Sequence, residues 1–318
     1  MTRIILAILA ATLLLAPPAA ANPNPTWGTV EKPCTTTADC RSQHQQSLSL
    51  GVSKMRAEFA PVANVTAYDW RFEAAALDGV TLLPLLNQWN PQGTLPDPQT
   101  FATFTAAMVA RYGPNGTYWA SRPDLTPTPP TWWELLNEPD LTYGVQQHDI
   151  YSMQPEAYGA LIKTVIAAGR QANPQAKYIV YVGGTIPTFK GRKQTYTEWI
   201  SRLLTVSGVC SYVDAWATHP YNGWALSQAS WSYASDNRRC GPRELWITEL
   251  GWSTNNVSEQ QQAANVTTWA NLVRSTSGVA AFFYFQIRDS AQTFQYGLFR
   301  QDGSGKPSAA AYATAVGQ

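Results

Sequence analysis

Charge and histidine are both scarce in this chain. Only 14% of its 318 residues are Asp, Glu, Lys or Arg, and the formal net charge is +1. A nearly neutral surface carries no basic patch, so neither nucleic acid nor an anionic membrane is expected as a partner. The three histidines, His44, His148 and His219, form no H-E-x-x-H element, and no G-x-S-x-G occurs. A zinc hydrolase and a serine esterase are therefore unsupported, and no metal or other cofactor is expected. His44 and His148 lack any partner spacing and read as surface residues.

Long apolar runs are also rare, and the first one decides the compartment. Arg3 precedes a mainly apolar run from Ile4 to Ala16, then Pro17-Pro18 and Ala19-Ala20-Ala21. That is the pattern of a secretory signal peptide cleaved before Asn22, too short to span a bilayer. No later run reaches spanning length. Loss of Arg3 with residues 1–21 leaves a secreted, neutral chain over 22–318, expected to be a monomer.

Cysteine is limited to Cys34, Cys40, Cys210 and Cys240. In an exported chain an even count reads as disulfides, and four cysteines allow three pairings. Short loops close most cheaply, which favours Cys34–Cys40 with Cys210–Cys240. No C-x2-C spacing supports zinc.

Aromatic residues are plentiful, with 13 Trp and 15 Tyr. Strand-like runs fall at Trp27–Val30, Met55–Phe59, Val80–Leu86, Trp132–Leu136, Tyr178–Val182, Ala215–Thr218, Leu245–Leu250 and Ala280–Ile287. Several are apolar on both parities, as strands of a parallel sheet covered on both faces must be. Helical patterns alternate with them. Tyr158, Leu161, Ile162, Val165 and Ile166 share one face, as do Phe101, Phe104 and Met108 after Pro96-Asp97-Pro98, and Val266, Trp269 and Val273 after Ser258. Eight units of roughly 37 residues fit a single-domain (β/α)8 TIM barrel. An open doubly wound sheet would place a Gly-rich loop after its first strand, where this chain has Glu31-Lys32-Pro33-Cys34.

Two carboxylates each end a strand. Glu138 follows Asn137 after the fourth, and Glu249 closes the seventh. They are 111 residues apart, about three units of roughly 37 residues, so they stand at equal heights on the C-terminal face, where barrel active sites form. Such a pair suits glycosidic cleavage, one carboxyl protonated as acid and one ionised as nucleophile.

Asn137-Glu138-Pro139 after strand four, with Glu249 ending strand seven, resembles the clan A glycoside hydrolases. Arg56 resembles the clan's strand-two arginine, and His219-Pro220-Tyr221 its H-x-Y element. Arg111-Tyr112-Gly113-Pro114 and Arg288-Asp289 … Gly297-Leu298-Phe299 are similar to compact secreted bacterial members near families 39 and 5. The resemblance implies a retaining enzyme acting on a β-linked poly- or oligosaccharide, with Glu138 as acid/base and Glu249 as nucleophile. It also implies that Arg56 and Tyr221 contact Glu249 and that His219 lines the cleft. Asn137 would hold the sugar 2-hydroxyl. Family 39 xylosidases carry an extra β-rich domain for which this chain has no room.

Further expectations follow. An adjacent Arg56 would hold Glu249 ionised, while burial would raise Glu138. Glu134 reads as a structural acid inside the barrel, and Glu58 as either a cleft residue or an ion-pair partner. Trp89, Trp252 and Tyr284 are candidate stacking platforms, with Trp224 and Trp231 lining further subsites. A barrel that binds glycans without cleaving them and a transglycosylase using the same residues are the competing readings.

Overall fold

The apolar-both-parities runs pair side by side as eight parallel strands. They are β1 (Thr26–Val30), β2 (Lys54–Phe59), β3 (Thr81–Leu86), β4 (Trp132–Leu135), β5 (Lys177–Tyr181), β6 (Ala215–Thr218), β7 (Glu244–Leu250) and β8 (Val279–Tyr284). β1 pairs with both β2 and β8, which closes the sheet into a barrel. A computed structural model describes residues 24–88, 96–140, 154–183, 188–189, 192–193, 198–221, 223–290 and 294–317. The expected leader, Trp89 and His148 lie outside the described residues.

Each strand is followed by a helix: α1 (Thr37–Ser49), α2 (Asp69–Asp78), α3 (Pro98–Tyr112), α4 (Pro155–Ala172), α5 (Glu198–Leu203), α6 (Trp224–Ala234), α7 (Glu259–Ser275) and α8 (Pro307–Val316). A helical turn at Thr117–Ser121 and a small hairpin, Thr188–Phe189 with Arg192–Lys193, lie between them. The capping signals act as their chemistry dictates. Asp97 accepts from the Thr100 amide at 2.8 Å with Pro98 in the first turn, and Ser258 accepts from Gln261 at 3.1 Å.

Strand parity sorts the core. In β5, Ile179 and Tyr181 point into the barrel beside Leu83, Ala217, Trp246 and Phe283, while Tyr178 and Val180 meet the helices. The inner end is filled by Trp132, Trp246 and Phe283, with ring centroids 4.8 and 6.2 Å apart. Gly28 has no alternative here, because a Cβ would overlap the Phe283 ring. Helix tyrosines reach strand carbonyls: Tyr312 donates to Gly28 O at 2.6 Å and Tyr158 to Leu135 O at 3.1 Å. Among the described residues, no helix is long and apolar enough to cross a membrane.

The cysteines pair as Cys34–Cys40 and Cys210–Cys240, with Cα separations of 5.3 and 4.9 Å. Two expectations need correction. The last strand ends at Tyr284 rather than Ile287, because Ile287 belongs to the turn that packs Leu298 and Phe299 over the barrel end. His44 is not a surface residue. Helix α1 lays it against α2, where Nδ1 sits 3.0 Å from Asp78 Oδ2 and the ring is buried.

Candidate active site

Arg56 occupies an inward position of β2 because Met55 and Ala57 point to the helices. Its guanidinium meets three partners. It bonds Glu134 at 2.6 and 3.2 Å, Glu249 Oε2 at 3.0 Å and Asn137 Oδ1 at 2.8 Å. Glu134 lies inward on β4 by the same parity and is fully buried. An unpaired buried charge there would be costly, and the fork geometry of arginine satisfies both carboxylates at once.

Beyond β4 the chain turns sharply. Leu136 and Glu138 both adopt left-handed backbone, with φ of 59° and 41°. For residues with a Cβ this stores about 1–3 kcal/mol each. Between them, the Asn137 amide donates to Asn87 Oδ1 at 3.1 Å, and Asn87 Nδ2 donates to Glu58 Oε1 at 2.8 Å. The outcome is a buried Glu138 whose Oε1 lies 2.8 Å from His219 Nδ1.

β7 uses a different device. Ile247 pairs with Phe282 but Leu250 with Tyr284, so β7 has an extra residue at this point. Such a bulge lets successive side chains share one face. Thr248 and Glu249 consequently both reach the interior, while Leu250 returns to the helix layer. Gly251 then passes so close to the Phe285 carbonyl that no Cβ would fit.

The nearest ligand atoms of Glu138, His219 and Glu249 all lie within 4.8 Å of one another. Tyr221 donates to Glu249 Oε1 at 3.0 Å, so each oxygen of Glu249 has a partner. The three groups are close enough to chelate a cation, but the Arg56 guanidinium already supplies positive charge at Glu249. Thr248 donates to Glu134 Oε1 at 2.8 Å, so its oxygen accepts from His219 Nε2 at 3.0 Å. With Nε2 protonated, one proton is shared along the His219 Nδ1–Glu138 contact.

The electrostatics follow from burial. Burial raises the Glu249 carboxyl above its usual range, against the pull of His219, Arg56 and the Tyr221 hydroxyl. Arg56 pulls the carboxyl down as expected, but desolvation is the larger effect. Burial lowers the His219 imidazole, but Glu249 and Glu138 outweigh it and the net shift is upward. Burial and the same two carboxylates keep the Tyr221 phenol protonated, well above its usual range.

The sequence matches the model of the glycosyl hydrolase catalytic core over residues 88–312. The chain belongs to that family. No curated protein matches it. Among solved structures, this glycosyl hydrolase is similar to a family 39 glycoside hydrolase from Bacteroides cellulosilyticus WH2, with TM-score 0.69 and 20% identity. The match covers 92% of this chain and 63% of that one, so this chain spans under two thirds of that enzyme's length. A GH5_18 protein from Streptomyces cattleya matches with TM-score 0.66 and 16% identity, over 93% and 80% of the two chains. The family 30 subfamily 8 xylanase Xyn30A from Clostridium acetobutylicum gives 0.60 and 13%, over 94% and 73%.

The fold of this glycosyl hydrolase brings Arg56, Asn137, Glu138, His219, Tyr221 and Glu249 together, while Tyr284, Trp252, Trp224 and Trp231 pack elsewhere. Tyr284 is fully buried on the outward parity of β8, 5.8 Å from Tyr312 of α8. Trp252 packs at 6.4 Å from Trp269 of α7 and 6.2 Å from Tyr284. Trp224 also packs on Trp269, and Trp231 bonds Arg243 O at 2.9 Å. The β7 bulge is what turns Trp252 toward the helices. A cavity of about 600 Å³ reaches instead from Arg56, Asn137 and Glu249 to Glu58 and to Phe285 and Phe294. Glu58 is therefore a cleft residue. Thr248 and Asn87 escaped the sequence reading; inward parity beside Glu249 and a position just past β3 were their only signals.

Proposed function

We propose that this glycosyl hydrolase cleaves a β-linked poly- or oligosaccharide with retention of configuration. The observation that carries the reading is the Glu138–Glu249 spacing of at most 4.8 Å between nearest oxygens. Retaining enzymes hold the pair roughly 5–5.5 Å apart, whereas inverting enzymes leave about 6.5–9.5 Å for a water.

Glu138 is the acid/base and Glu249 the nucleophile. Glu249 attacks the anomeric carbon as the glycosidic bond breaks, and Glu138 protonates the departing oxygen. Glu138 then takes a proton from water, whose oxygen attacks the same carbon and releases Glu249. The proton shared with His219 supports the role of Glu138, and Arg56 and Tyr221 orient Glu249. Asn137 presents its amide to the 2-hydroxyl, since Arg56 holds its Oδ1. The apolar leader before Asn22 and two disulfides support secretion.

The test is a panel of aryl β-glycosides and β-linked oligosaccharides, with the anomer first formed read by proton NMR. Retention is expected, and Glu138→Ala should lose roughly 10²–10⁴-fold in rate on oligosaccharides. A first-formed product of inverted configuration, or equal inertness of wild type and Glu249→Ala on every glycan, sinks the reading.

A further inference from the structure

The cavity beside the reacting centre is lined by Phe285 and Phe294 and not by Trp252 or Tyr284. Among the described residues only Val62, Leu77 and Phe294 are large apolar side chains left exposed, and Phe294 is 42% exposed. Val62 and Leu77 do not line the cavity; Phe294 does. It is fixed rather than dangling. Its ring lies 5.6 Å from Phe285 and 5.1 Å from Tyr296, and its carbonyl accepts from the Ser290 amide at 3.2 Å. Tyr296 in turn meets Tyr221, the donor to Glu249, at 6.3 Å. The aromatic wall is thus continuous with the reacting centre.

Polar side chains complete the lining. Glu58 is exposed at the end of β2, and Asn87 holds only its Oε1 at 2.8 Å. A carboxylate is an acceptor for sugar hydroxyls, and Lys32, which also lines the cavity, is a donor. An exposed ring and hydroxyl partners in one cavity are what a pyranose unit requires.

Position decides which unit. Glu138 must stand beside the leaving oxygen, so the departing sugar lies toward β4 to β6. From Arg56, Asn137 and Glu249 the cavity runs out over the ends of β8, β1 and β2, and neither Glu138 nor His219 lines it. Resting on the reading of Glu138 and Glu249 as the cleaving pair, the geometry points to a second glycone subsite there. It stacks the next β-linked pyranose of the chain on Phe294 and binds its hydroxyls through Glu58. The substrate class is a β-linked oligosaccharide or polymer with at least two sugars on the non-reducing side of the cut bond.

The experiment compares 4-nitrophenyl β-glucoside, xyloside and mannoside with their β-1,4-linked disaccharide counterparts, in wild type, Phe294→Ala and Glu58→Gln. Wild type should gain in kcat/KM from the second sugar, mostly through KM. Each variant should lose about tenfold of that gain. Calorimetric titration of the β-1,4-linked tetraoses reads the same subsite without turnover, with Kd weakened about tenfold in both variants. Cleavage in wild type with no gain from the second sugar, or a gain intact in Phe294→Ala, overturns the subsite and leaves the function standing. Binding that Phe294→Ala weakens, with no cleavage by wild type, keeps the subsite and removes the function. Neither binding nor cleavage overturns both.

Discussion

Glu138 Oε1 lies 2.8 Å from His219 Nδ1, and the other imidazole nitrogen contacts Thr248 at 3.0 Å. Since Thr248 spends its own proton on Glu134, the acid and the imidazole hold one proton between them. Protonation of the buried trio is therefore a joint property, with apparent values that belong to the group.

That coupling has a sign. The folded-state shifts of His219 and Glu249 are both upward. The native state then binds more protons than the unfolded chain, and stability falls as pH rises. The His219 contribution is fully present below an unfolded value of about 6.5 and is lost as pH climbs through its higher folded value. Urea titrations between pH 5 and 9 should show wild-type stability declining more steeply than that of His219→Gln. Parallel curves would contradict the proton sharing.

Tyr221→Phe removes the hydroxyl that lowers the Glu249 carboxyl and donates to its Oε1. A hydrogen bond to a charged group contributes about 1.5–3 kcal/mol. The variant should lose roughly 10- to 100-fold in kcat, and its acid limb should move to higher pH. An unchanged acid limb would place the tyrosine outside the circuit.

Arg56 joins two buried carboxylates, so its loss leaves Glu134 and Glu249 with only the Thr248 and Tyr221 hydroxyls and without the guanidinium charge. Arg56→Met should destabilise the barrel by roughly 3–5 kcal/mol in chemical denaturation, as breaking a buried pair does. Arg56→Lys supplies one charge but no fork, and should recover part of the stability and less of the activity. Full recovery of both by lysine would show that charge alone matters at this position.

Tyr312 reaches from α8 to the Gly28 carbonyl at 2.6 Å in a fully buried contact. Tyr312→Phe should cost about 1–3 kcal/mol by leaving that carbonyl short of a donor. The melting temperature is the readout, and kcat should be unaffected because the contact lies outside the barrel mouth.

Much of the fold was legible because parallel strands and amphipathic helices write opposite periods into the chain. Tyr178 to Val182 is apolar on both parities since Ile179 fills the barrel while Val180 packs under helices. Asp97 and Ser258 marked helix starts because they cap amides three residues on. Tyr284 and Trp252 were misplaced for a physical reason. A stacking platform depends on which way one side chain faces, and composition is silent about facing.

The sequence by itself determined the eight-unit barrel and the positions of Glu138 and Glu249 at equivalent strand ends, and it favoured one of three cysteine pairings by loop length. These depend on periodicity and spacing, which are properties of the chain alone. Only the tertiary structure decided how the two carboxylates meet. The left-handed backbone at Glu138 and the extra residue in β7 at Glu249 each re-aim one side chain. Only the packed structure also decided that Glu134, from a position four residues before Glu138, shares Arg56 with Glu249. Such contacts join residues up to 193 positions apart, and no local pattern encodes them.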